Sequence, residues 1–149
     1  MKGAVFLAVL SLGACQQTAE IPLRPETGGS LTFGWSGAFG GGGLLTTIYE
    51  NDQMYRRYPG SVSRDGRTEW TQLPAGSFNQ IASLAEAQLA VLATLDTSGE
   101  CMDAGIEQLI LIAADGTKNS YANSCPEDAA QTAFGLLDTG IQEIEGADR

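Results

Sequence analysis

The chain has 149 residues, 43 % of them apolar and 17 % charged, the proportions of a folded protein with material for one domain-sized core. Eighteen Asp and Glu stand against eight Lys and Arg, a net charge of −10; a surface this acidic repels the phosphate backbone, which excludes nucleic acid as a partner. Histidine is absent, which removes the commonest general base, every Ser-His or Cys-His nucleophile pair and the commonest neutral zinc ligand.

In chain order, the first element is "MKGAVFLAVLSLGACQQ", with a basic Lys2, an apolar run from Gly3 to Leu12 and small residues after it. A helix needs about 20 apolar residues to cross a bilayer, so this run is too short for a span and has the layout of an export signal. No second stretch is apolar for long enough to span either. Leu12-Gly13-Ala14-Cys15 resembles a bacterial lipobox, and that resemblance implies diacylglyceryl transfer to the Cys15 thiol, cleavage before Cys15 and acylation of the new amino group. Residues 1–14 are therefore expected to be a signal peptide. Residues 15–29, with two prolines and no periodicity, are expected to be a lipidated, flexible tether. The expected location is the bacterial envelope, lipid-anchored, on the outer membrane facing the periplasm. A single domain is expected over 30–145, with a short tail at 146–149.

"SLTFGWS" alternates Leu31, Phe33 and Trp35 with Thr32, Gly34 and Ser36, the period of a half-buried strand. After "GAFGGGG", the run "LLTTIYE" (44–50) predicts a second strand, "QMYRRYP" (53–59) a third and "RTEWTQL" (67–73) a further one. The period then changes. Phe78, Ile81, Ala82 and Ala85 lie on one helix face, with Pro74 as a first-turn residue. "IEQLILIA" (106–113) is apolar on both faces, which predicts an interior strand with a layer over it. The Asp115-Gly116 turn then returns the chain through "TKNSYANS" (117–124) as a hairpin. A last helix opens at Pro126 and carries the stripe Ala130, Ala133, Phe134, Leu137, Ile141 and Ile144. The whole predicts an α+β domain: an antiparallel β-sheet of about four to six strands with two helices packed on one face.

Chemistry is limited by what the chain lacks. With Cys15 lipidated, Cys101 and Cys125 remain as a pair, and in an oxidising compartment two thiols at the open end of one hairpin predict a disulfide. No nucleophilic sulfur is then left, no carboxylate spacing shows a catalytic pair, and the chain reads as non-catalytic, with no cofactor and no metal. The glycine run is not a phosphate loop, because it leads into a strand and has no Lys-Ser/Thr. Asp96 to Asp103 lacks the glycine and glutamate of a calcium loop. A connection unhindered by side chains can approach a partner closely, which makes Trp35, Phe39, Gly40 and Gly41 candidate contacts. Arg56 and Arg57 join them, because Arg56, Arg57, Arg64 and Arg67 fall within twelve residues, whereas from Glu86 onward Lys118 and Arg149 face twelve acids.

The strand ending in "SGAFGG", the "QLPAGSFNQIASL" helix start, the "LILIAADGTKNSY" hairpin and the proline-started last helix together resemble the emfourin-like family, small protein inhibitors of thermolysin-type metalloproteases. The longer glycine run, the cysteine pair and the lipid anchor depart from that layout. The resemblance implies a protein partner, an envelope or secreted protease, held by the loop after the first strand. The alternative function is a structural or assembly role in the envelope without inhibition. The membrane is expected as a second partner, reached through the N-terminal lipid.

Overall fold

The computed structural model describes residues 28–37, 43–60, 66–97, 101, 105–125 and 127–147. They form β1 (Ser30–Ser36), β2 (Leu45–Tyr49), β3 (Gln53–Arg57), β4 (Thr68–Gln72), α1 (Ser77–Leu92), β5 (Ile106–Ile112), β6 (Lys118–Asn123) and α2 (Asp128–Ala147). The strands make one antiparallel sheet in the order β4-β3-β2-β1-β5-β6. With the two helices it is an α+β fold.

Alternation along the strands puts Leu31 and Phe33 of β1, Ile48 of β2, Met54 of β3 and Leu109 and Leu111 of β5 in one buried layer. Against them pack Phe78, Ile81, Ala85, Leu89 and Leu92 of α1, and the full predicted stripe of α2. Both helices therefore cover the same sheet face, and they also touch each other, with the Ile81 and Leu84 side chains beside Gly140.

The two helix starts are fixed from outside the helices. Pro74 does not open α1, as its position before the apolar run suggested. Its carbonyl instead accepts from the Ser77 hydroxyl at 2.6 Å, and the helix begins at Ser77 after a left-handed Gly76 at φ 87°. The cap comes from the β2–β3 turn, where the Asp52 carboxylate accepts from Gly76 N at 2.8 Å and from Phe78 N at 2.7 Å. An acceptor there satisfies otherwise orphaned amides and suits the positive end of the helix dipole.

A second difference concerns β5. It is an interior strand, as expected, but the helical layer covers only the side bearing Glu107, Leu109 and Leu111. Ile110 and Ile112 are half-buried on the opposite face, beside neighbours such as Thr32, and Ile106 is exposed. The apolar residues on that side are shielded sideways by cross-strand neighbours, with no helix over them among the described residues.

Cys101 and Cys125 form a disulfide with their Cα atoms 5.0 Å apart, closing the open end of the β5–β6 hairpin. A crosslinked loop with this sequence separation of 24 contributes roughly 3 kcal/mol on the chain-entropy account.

Candidate functional site

The end of β1 nearest the glycine run is built by close backbone approach. Gly34 has φ +126°, and a Cβ there would stand 2.2 Å from the Leu44 carbonyl oxygen. Only glycine allows that approach. The next amide, Trp35 N, donates to Leu44 O at 2.9 Å, so the two arms of the β1–β2 connection meet here. On the other side Gly105, at φ +82°, lets its backbone lie against the Trp35 indole. Trp35 is thus held on one edge and remains 38 % exposed, with Leu44 at 39 % beside it.

Across β1 from Trp35 lies Glu107 of β5, which is 2 % exposed. Its carboxylate accepts from Glu127 N at 3.1 Å and from the Gln131 side-chain amide. Glu107 thereby does for α2 what Asp52 does for α1: a carboxylate from outside the helix, here on a strand and there in a turn, fixes its first turn. With α2 set at this angle, Phe134 comes to 6.3 Å from Phe33 between ring centroids.

Between the sheet and α2 lies a pocket of about 310 Å³, lined by Phe33, Trp35, Leu44 and Phe134 as apolar walls and by Thr46, Gln131 and Asp138 as polar groups. Burial pushes the Asp138 carboxyl above the usual carboxylate range, and Arg56 acts against this. The Arg56 guanidinium is 3.8 Å from Asp138 and 3.9 Å from Glu145, divided between the two.

The residues singled out by sequence separate in space. Trp35 lines the pocket and Arg56 sits just behind it. Arg57, the next residue along the strand, faces the other side of the sheet, so the two do not form one patch. Arg67 lies over the Tyr58 ring at 4.4 Å and pairs with Glu69 at 3.0 Å. Phe39, Gly40, Gly41 and Cys15 lie outside the described residues. Thr46, Glu107, Gln131 and Asp138 were not singled out. Glu107 carried a usable signal, since it stands in phase with Leu109 and Leu111, where a carboxylate needs a partner.

No model of a known protein family matches the chain, and no curated protein matches it. Among the described residues, no group of three or more His, Cys, Asp and Glu could hold a metal ion, and no helix is long and apolar enough to cross a membrane.

Proposed function

We propose that the protein is an exported lipoprotein anchored through Cys15, whose folded domain is a non-catalytic module binding a protein partner at the pocket end of the sheet. The observation that carries this reading is the pairing of two exposed apolar side chains, Trp35 and Leu44, at the rim of an apolar-walled pocket. Rigid aromatic and aliphatic groups beside a pocket are the usual anchors of protein recognition. The resemblance to emfourin-like inhibitors supplies the partner class, a thermolysin-type metalloprotease. Cys15→Ser tests the anchor: the precursor should keep residues 1–14 and take up no labelled palmitate, and normal palmitate incorporation would end the lipoprotein reading.

A second reading, structural or assembly docking in the envelope, is favoured by the open face of the sheet. The strand residues turned to that face include Tyr55, Trp70, Ile110, Ile112, Arg57 and Lys118, and none among the described ones is acidic. In a chain with eighteen acids this is a marked asymmetry. Photocrosslinking residues placed at 44 and at 110 distinguish the two readings. A crosslinked partner from position 44 alone supports binding at the pocket end, and one from position 110 alone supports docking by the sheet face.

A further inference from the structure

Every polar side chain of the pocket can accept a hydrogen bond, and the only charged one among the described residues is a carboxylate. One N–H of the Gln131 amide donates to Glu107, and its carbonyl oxygen and second N–H carry no further bond to Glu107. Asp138 brings a carboxylate, and Arg56 at 3.8 Å lies beyond hydrogen-bond distance from it. Thr46 adds a hydroxyl, which can accept as well as donate. No cation is among the described residues lining the pocket.

An anionic ligand would meet Asp138 with no lining cation to offset the repulsion. A purely apolar ligand would strip water from the Asp138 carboxylate and the Gln131 carbonyl and return nothing to them, which is costly. A cation on an apolar stem satisfies both sets of groups. Its charge pairs with the Asp138 carboxylate, while its stem lies against the aromatic walls, whose ring faces also attract cations. The net charge of −10 further favours the approach of such a ligand.

We propose that this pocket takes an ammonium or guanidinium group carried on an apolar stem, the chemistry of a lysine or arginine side chain on the bound partner. The assignment rests on the reading of this end as the binding site and specifies what the partner inserts there.

The test uses the whole protein, followed through the Trp35 indole N–H by NMR, with two cationic probes and their neutral counterparts. Benzylammonium is set against benzyl alcohol, and an acetylated, amidated Gly-Arg-Gly peptide against Gly-Gln-Gly. At least one cationic probe should bind in the millimolar range or tighter, about tenfold more tightly than its counterpart, and Asp138→Asn should remove that difference. Arg56→Gln should tighten cation binding severalfold, because it removes the internal competitor for Asp138; mere loss of structure would not produce that sign. Binding of the peptide without the amine points to a polypeptide source, and the reverse to a free amine. Equal binding of charged and neutral probes, an unchanged affinity in Asp138→Asn, or no binding by either cation at 10 mM overturns the assignment. Failure here would leave the crosslinking result at position 44 standing, so the ligand class and the binding site fail separately.

Discussion

Glu107 is the residue through which the sheet positions α2, and replacing it should be costly in a way that depends on Gln131. In Glu107→Ala two donors, Glu127 N–H and the Gln131 amide, lose their acceptor. A hydrogen bond to a charged group contributes about 1.5–3 kcal/mol, so the two together set an upper range of about 3–6 kcal/mol. Part of this is returned because a carboxylate no longer has to be buried, and the expected net loss is about 3 kcal/mol. Urea unfolding of wild type, Glu107→Leu, Gln131→Leu and the double variant isolates the pair. Replacing both partners with apolar groups removes the stranded amide, so the double variant should be more stable than the sum of the single losses predicts, by about 1–2 kcal/mol. A loss below about 1 kcal/mol in Glu107→Ala, or strict additivity in the cycle, would refute the view that this carboxylate fixes the helix.

The Tyr121 hydroxyl is buried without a hydrogen-bond partner among the described residues, and burial raises its pKa although nearby Asn123 partly opposes the shift. Tyr121→Phe should therefore leave stability unchanged or raise it by up to about 1 kcal/mol in thermal melts. In the wild type the neutral phenol favours the fold, a contribution complete below pH 10 and lost above it, as the unfolded chain ionises first; absorbance titration should find one tyrosine that ionises late. Asp138 has its carboxyl raised by burial, so its contribution is fully present below about pH 3.8 and is lost as pH rises through the higher folded value. Asp138→Asn should accordingly gain stability relative to wild type between pH 4 and pH 7 in denaturant melts, and a change of the opposite sign would contradict that environment. Reducing the Cys101–Cys125 bond should lower stability by roughly 2–5 kcal/mol with circular dichroism of the folded state retained, and peptide mapping should find both thiols protected before reduction.

The parts of the fold legible in sequence are those with a period. β1 is bounded as its alternation indicates, and all six apolar positions of the α2 stripe are buried. Both helices were visible as helices, but their starts were not fully specified. The caps come from Asp52 and Glu107, and Asp52 stands 26 residues before the Phe78 amide it holds. A contact of that range leaves no local pattern. The same reason hid most of the pocket: Thr46, Gln131 and Asp138 converge only once α2 crosses the sheet. Trp35 was found because it falls at the end of an alternating strand beside a glycine run. Arg56 and Arg57 misled because adjacent strand residues share a charge in sequence and opposite faces in space.

The most direct test of the central claim, that the domain binds its partner at the Trp35 and Leu44 rim, is inhibition of a thermolysin-type metalloprotease by wild type, Leu44→Ser and Trp35→Ala, with unfolding stability measured on the same samples. Leu44 is exposed, so Leu44→Ser should cost at most about 1 kcal/mol of folding stability, whereas the indole packed on Gly105 makes Trp35→Ala costlier, about 1–3 kcal/mol. The account predicts inhibition at micromolar concentration or below by wild type, weakened about tenfold or more by each substitution after correction for the folded fraction, a change of about 1.4 kcal/mol in binding. No inhibition by micromolar wild type would remove the protease as partner, and equal inhibition by all three proteins would contradict the claim that this rim is the binding site.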